Sequence, residues 1–455
     1  MISPFHFPSF SFSETHDTIP YHTTRYQSKK KKKKKKSHSA PSNDDTTKLG
    51  EIIINFRRPH PTPTKAIDPT MPILNLPNEL LLVIADEFLD PRDLNTLILT
   101  NRRFARLLTP IMHTLAAADK DGIPALCWAA RQGHRPLVRL LLRKGAQVNA
   151  RDTNAGLEIG NRQTALHHAA NSGHEDIVRV LLEGGAMVNV QNNYLETPLH
   201  RAVAGGSEGV VRLLLENGAE INACTSYLQT PLFNALEGGR EALALLLLRK
   251  GADVTIRDSA RETVLLPAVR EGYDVIVKLL LEKGVDVNAP NTDGDRALHE
   301  AAREGFVHIA RLLLDNGAEI DAENSDGQTA LHLAISVGGE RYEDFITLLL
   351  DKGANVNATD QYGGTPLHYA ARHQSDVISQ VLIDAGASID AQNHYHGDTP
   401  LNLAVQCGSK DVIALLLRNG ADVNIPNREG HTSLELAARR HQSLVQLFAE
   451  FTVSS

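Results

Sequence analysis

The chain has 455 residues, 42% of them hydrophobic and 22% charged, enough apolar material for a large core. Its three cysteines, Cys127, Cys224 and Cys407, stand far apart with no C-x-x-C pair, which excludes a disulfide framework and a zinc ribbon and points to a reducing compartment, cytoplasmic and/or nuclear. The net charge of -7 divides unevenly, because residues 1–70 hold 13 Lys+Arg against 6 Asp+Glu while the remainder holds 34 against 48.

An acidic body repels phosphate backbones, so nucleic acid is disfavoured as a partner. No stretch approaches 18 uninterrupted apolar residues, and the first twenty residues lack the basic start and apolar centre of a secretory leader, so neither a membrane span nor export is expected.

Residues 1–70 are rich in Ser, Thr, His and Pro and contain the lysine run Lys29 to Lys36. Such a segment buries too little apolar surface to offset chain entropy and is expected to be disordered. Its lysines read either as an import signal or anionic-surface tether, or as an inert solvated run that a translation start at Met71 would omit. The inert reading is preferred, and the tail is expected to be dispensable.

Composition changes abruptly at Leu76. Over Leu76 to Leu108 the pattern predicts three short helices, with Asp90 and Pro91 opening the second and Thr100 capping the third. The first, from Asn78 to Leu89, is apolar nearly all round, and about 35 residues cannot cover such a helix alone, so it needs a partner surface. The order Leu76, Pro77, Glu79, Leu80, Ile84, Leu89, Asp93, Leu94, Leu97, Arg102, Arg103, Phe104 resembles the F-box, here residues 71–110. Ala85 stands where that family usually has Phe, and no Trp follows the third helix. The resemblance implies a Skp-type adaptor as partner, contacted through Leu76, Pro77, Leu80, Ile84, Leu89 and Leu94. The competing reading is a helical cap on the domain that follows.

That domain is a repeat array. A T-P-L-H-like tetrad begins at Pro124, Thr164, Thr197, Thr230, Thr263, Arg296, Thr329, Thr365, Thr399 and Thr432, spaced mostly by 33 residues. Thr caps a first helix, Pro198, Pro231, Pro366 and Pro400 occupy its first position, and Ala pairs such as Ala169-Ala170 permit close approach. A second helix carries a Leu triplet and stops at Gly145, Gly185, Gly218, Gly251, Gly284, Gly317, Gly353, Gly386 or Gly420. Extra residues fall between Ala150 and Thr164, around Gly339 to Glu343, and near His394. The period and the TALHHAA, TPLHRAV and TPLHYAA segments resemble the ankyrin repeat over residues 121–451, in about ten copies. The fold expected is all-α: an α-solenoid with short β-hairpin fingers, preceded by the F-box and a disordered tail.

The histidines at the fourth tetrad position, His167, His200, His299, His332 and His368, are separated by the repeat period and cannot converge on one metal. In the family this histidine bridges loops. No catalytic, metal or cofactor constellation is present: there is no H-E-x-x-H, no G-x-G-x-x-G and no P-loop, so the chain is expected not to be an enzyme and to take no small-molecule substrate. The ankyrin resemblance places ligand contacts at the fingertips and the end of the first helix, along a concave face. Tyr194, Tyr227, Tyr362 and Tyr395 are the anchors of choice there, with Leu195 and Leu228 beside the first two, and Glu196, Gln229, Asp293 and Asp295 alongside. In repeats three, four and five, Leu195, Leu228 and Arg261 replace the usual finger glycine; the leucines are either an exposed patch or packing between fingers. Arg131, Arg270, Arg303, Arg372 and Arg439 form either a basic ladder or ordinary salt-bridged residues, the second being preferred. Together the two resemblances imply the substrate-recognition subunit of a cullin-RING ubiquitin ligase, acting by proximity on an unidentified protein; the alternative is an ankyrin scaffold without a ligase role.

Overall fold

The computed structural model describes residues 124–143, 145–152, 161–339, 342–440 and 442–452. The basic tail and the F-box-like segment, with Leu76, Pro77, Leu80, Ile84, Leu89 and Leu94, lie outside the described residues. Twenty described helices follow one another in consecutive pairs, from Ala125–Gln132 with Arg135–Arg143 to Ser433–Arg440 with Gln442–Thr452.

Repeat three shows how the sequence makes a pair. Thr197, in extended conformation, precedes Pro198, whose fixed φ and missing N–H suit the first helical position, and the helix Pro198–Gly205 ends at Gly206 with φ 77°. Ser207 then caps Glu208–Glu216 by accepting from the Val210 amide at 3.4 Å, and Glu208 in the first turn complements the helix dipole. Gly218, at φ 85°, lets the Ala219 amide turn back to the Leu214 carbonyl at 3.0 Å. All nine expected glycine stops take positive φ.

One hydrophobic cluster runs from Leu126 to Phe448. The paired alanines, such as Ala169-Ala170 and Ala301-Ala302, are fully buried, as their role in close helix approach requires. The middle leucines Leu214, Leu280 and Leu313 are also fully buried, stabilising the array by roughly 1.5–3 kcal/mol per side chain, whereas Leu141 in the first repeat is only partly covered. The flanking Leu215, Leu279 and Leu314 are only partly covered.

Side-chain amides tie neighbouring repeats. Asn189 Oδ1 accepts from Glu220 N at 2.9 Å while its Nδ2 donates to Gly218 O at 3.1 Å, and Asn288 repeats the pattern with Glu319 and Gly317. Two backbone groups of the next repeat are thereby satisfied by one asparagine.

The fingers differ from expectation. Among the described residues there is no β-strand, only an isolated antiparallel bridge between Arg151 and Thr164. The reason is local: one side-chain oxygen at the finger base takes the amides that a ladder would need. Asn192 Oδ1 accepts from Tyr194 N and Glu196 N at 2.9 and 3.0 Å, and a single backbone bond, Asn192 N to Glu196 O, closes the loop. Thr225, Asp258, Asn291, Asn324, Asp360 and Asn427 act alike. The extra residue near His394 is absorbed here, since Asn393 accepts from His396 and Asp398.

Candidate protein-binding face

The histidines of the tetrad fix where each finger lies against the helices. In repeat two the Thr164 backbone N–H, at 3.2 Å, and hydroxyl, at 2.9 Å, converge on His167 Nδ1, and Nε2 lies 3.0 Å from the Glu196 carbonyl. A carbonyl only accepts and an amide N–H only donates, so the ring must be neutral with its proton on Nε2. His200 meets Gln229 O, His332 meets Gly364 O and His368 meets Asp398 O in the same way, and His299 reaches both Ala322 O and Gln328 O. Burial, opposed by the bond to Glu196, lowers His167 to about 4. Burial lowers the other four as well. Each ring is thus committed to loop bonds.

Successive fingertips are stitched by backbone bonds. Ser226 N donates to Tyr194 O at 2.8 Å, Ser259 N to Tyr227 O at 2.9 Å, Thr292 N to Ala260 O at 2.9 Å, and the series continues to Arg428 N on His396 O. The tips therefore present their side chains in a fixed row. Tyr194 and Leu195 are each 44% exposed, Tyr227 60% and Leu228 51%, which decides between the two readings of the leucines: they form an exposed patch. Both leucines sit in the left-handed region, at φ 58° and 59°, as does Arg261 at 61°. At the equivalent Gly294 an added Cβ would lie 2.8 Å from Ser325 N, so glycine suits this position by both conformation and space. Tyr362 and Tyr395 sit on adjacent tips farther along, both exposed, with ring centroids 6.1 Å apart in an edge-to-face arrangement.

Several expected contacts are otherwise engaged. Asp295 is buried and held by Arg303 at 2.7 Å, so it is not a free fingertip group; only Asp293 of that pair is at the tip. Glu196 accepts from Asn192 and pairs with Arg201. Gln229 donates to Glu237, whose carboxyl is raised by burial first and by the Glu262 carboxylate second. The arginines do not form a basic ladder in repeats five and six: Arg270 bridges Glu262 and Glu300 at 3.1 and 3.2 Å, and Arg303 reaches Glu300 as well as Asp295. Carboxylates placed one helical turn or one finger away neutralise them.

The family model described as Ankyrin repeats (3 copies) matches residues 126–225, 232–324, 265–360, 298–393, 342–427 and 380–453, well over half of the sequence. The chain belongs to the ankyrin-repeat family. A second model, Ankyrin repeats (many copies), matches residues 205–248. Among curated proteins the ankyrin array is similar to the 2-5A-dependent ribonuclease of Homo sapiens, 38% identical over 69 residues, which is 15% of this chain and 9% of that protein. It is 37% identical over 62 residues to a palmitoyltransferase of Homo sapiens, covering 14% and 10%. An E3 ubiquitin-protein ligase of Arabidopsis thaliana is 33% identical over 69 residues, covering 15% and 4%. The chain thus spans about a tenth or less of the length of these relatives. Ankyrin repeats imply protein partners, and among the described residues no helix is long and apolar enough to cross a membrane.

Arg162 was not foreseen. At φ 52° it occupies the same finger position as Leu195, one ankyrin repeat earlier, so four consecutive fingers carry a side chain where glycine is usual. The insertion before Thr164 hides this from a simple alignment; counting back two residues from Thr164, as from Thr197, reveals it.

Proposed function

We propose that this chain is the substrate-recognition subunit of a Skp–cullin–F-box ubiquitin ligase, and that its ten ankyrin repeats hold the protein to be modified. One observation carries the reading: an F-box-like order of residues from Leu76 to Phe104 stands directly before an ankyrin array. The exposed Tyr194, Leu195, Tyr227 and Leu228 support the second half of it, because an apolar patch on rigid fingers is a surface for a protein ligand. In this role the chain is non-catalytic and raises the local concentration of target lysines near a ubiquitin-charged enzyme, in the cytoplasm or nucleus. An E3 ligase stands among the ankyrin relatives, which is consistent with such a role while resting on the repeats alone.

The adaptor contact is tested by pull-down of a Skp adaptor with the full chain and with Leu80→Asp and Ile84→Asp, each of which puts a charge into the apolar stretch of sequence from Leu80 to Ala85. Capture by the wild type and loss in both variants, with unchanged helical circular dichroism, is the expected result. No capture by the wild type leaves the scaffold reading, which the confinement of every family match to the array favours.

A further inference from the structure

At one boundary the array departs from its own repeat pattern in three ways that meet in space. The second residue after each glycine stop is polar elsewhere, as in Gln147, Glu220, Asp253, Asp286 and Glu319, but in the finger of repeat three it is Met187. The backbone site is the same, since the Met187 amide donates to Asn149 Oδ1 at 3.0 Å just as the Glu220 amide donates to Asn189 Oδ1 at 2.9 Å. Met187 is 60% exposed, so burial gives no reason for an apolar side chain there. The other two departures are Arg162 and Leu195, at the finger position that Gly294, Gly327, Gly363 and Gly430 fill in later repeats.

All three line one cleft of about 530 Å³ between the fingers of repeats two and three, within the ~300–1,000 Å³ usual for ligand sites. Val190 adds to its apolar wall, and Arg151 bridges the two fingers, donating to the Arg162 carbonyl at 3.3 Å and the Gln191 carbonyl at 2.6 Å. Every wall residue lies outside the helices, so the cleft is separate from the helix-borne arginines described above. Leu228 and Arg261 also replace glycine, but their fingers carry Glu220 and Asp253 where this one carries Met187.

The charge of the cleft runs against that of the chain around it. Beyond residue 70 the sequence holds 34 Lys+Arg against 48 Asp+Glu, yet the cleft has two guanidiniums and no carboxylate on its wall. Among the described residues neither Arg151 nor Arg162 is ion-paired, and Arg162 is exposed. Arg151 bonds only to carbonyls, which leave its charge unneutralised. Guanidiniums pair most strongly with anionic oxygens, while Met187 and Leu195 gain by being covered with an apolar group. An extended anionic surface would also meet the acidic body, including Glu220 on the next finger, whereas a short polypeptide can place single carboxylates inside the cleft.

We infer that this cleft seats a large apolar side chain of a partner polypeptide with carboxylates on either side of it, Met187 and Leu195 covering the apolar group and Arg151 and Arg162 pairing the carboxylates. Whether that partner is a ligase target rests on the reading above; the chemistry of the cleft does not.

The test uses the immobilised full chain and degenerate peptide libraries with a fixed central Glu-Leu-Glu, Lys-Leu-Lys or Glu-Ser-Glu. At least about tenfold preferential retention of Glu-Leu-Glu over both others is expected. Met187→Asp, Leu195→Gly and Arg162→Gly each install a residue that the array already carries at the equivalent position, so the fold is kept, and each should lower retention by roughly fivefold or more. Equal retention of Lys-Leu-Lys overturns the pairing with carboxylates, and equal retention of Glu-Ser-Glu overturns the apolar seat. Undiminished retention in all three variants places binding elsewhere and overturns the assignment. Phosphatidylserine vesicles retained as well as the peptides, and lost in the same variants, overturn the polypeptide partner. Self-association in sedimentation that Met187→Asp abolishes gives the cleft to a second copy, and retention that appears only when residues 153–160 are replaced by glycine and serine gives it to the chain itself; either overturns the proposal. Adaptor pull-down is independent of all these arms, so the two readings fail separately.

Discussion

The Tyr194 carbonyl accepts the Ser226 amide at 2.8 Å, and that bond locks the Tyr194 fingertip to the one that bears Tyr227. Leu195 and Leu228, the residues immediately after these tyrosines, take the left-handed conformation that glycine adopts freely and that L-residues other than asparagine and aspartate avoid at a cost of about 1–2 kcal/mol. Half-exposed leucines in that region gain too little from burial to offset the strain. Strain retained at an exposed apolar surface is the pattern expected of a site kept for binding.

Leu195→Asn and Leu228→Asn should therefore each stabilise the fold by roughly 0.5–1 kcal/mol, since asparagine enters the left-handed region more readily and lacks glycine's unfolded-state entropy. Urea unfolding provides the measurement. Gly294→Leu should do the reverse, because its Cβ would meet the backbone of the next finger. Equal midpoints for wild type and both asparagine variants would remove strain from the account.

Much of this was legible from the chain. The 33-residue period, the Thr caps and the glycine stops each reflect a backbone requirement that only a few residue types meet, so they mark helix pairs directly. The finger conformation was not legible as such, because whether a hairpin becomes a ladder or a turn depends on which oxygen takes its amides, and Asn192, Thr225 and Asp258 take them from the side chain. The preference for salt-bridged arginines holds at Arg270 and Arg303, but one partner of Arg270 was hidden, since Glu300 lies 30 residues away and only folding brings them to 3.2 Å.

Stability should fall as the solution is acidified from pH 6.5 towards 4. His167, His200, His299, His332 and His368 are all lowered by burial, so the folded chain resists protonation that the unfolded chain accepts near its ordinary 6.5. The unfolded state then binds more protons, and stability rises with pH through this window and is full above it. For His167, lowered to about 4, the loss on reaching the bottom of the window is on the order of 3 kcal/mol. Melting temperature against pH checks this, and His167→Gln should flatten part of the slope. A profile level between pH 7 and 4.5 would contradict the neutral, Nε2-protonated rings.

Glu300 is the hinge of the central ion network. Its nearly buried carboxylate is shared by Arg270 and Arg303, each of which also has a second acid, Glu262 and Asp295 respectively. Glu300→Gln keeps the shape and removes the charge, leaving both arginines partly paired. A loss of about 1–2 kcal/mol is expected, less than for a pair with no second acid. Adding Glu262→Gln should cost more than the two single changes combined, because Arg270 then loses both carboxylates; strict additivity in the double-mutant cycle would rule out the shared network.

Target recognition should centre on Tyr194 and Tyr227. Their rings are exposed, their backbones are joined through Ser226, and Leu195 and Leu228 extend the apolar surface beside them. Neither ring belongs to the buried core, so Tyr194→Ala and Tyr227→Ala should leave unfolding midpoints within about 0.5 kcal/mol of wild type. Each should nonetheless weaken a captured target by about 1–2 kcal/mol, the effect of removing an aromatic anchor. Because one rigid row presents both rings, the double variant is the sharper reagent, and affinity measured by calorimetry against a target recovered with the wild type provides the readout. Wild-type affinity in the double variant would move the recognition surface to the edge-to-face pair Tyr362 and Tyr395, where the same substitutions can be made on adjacent tips.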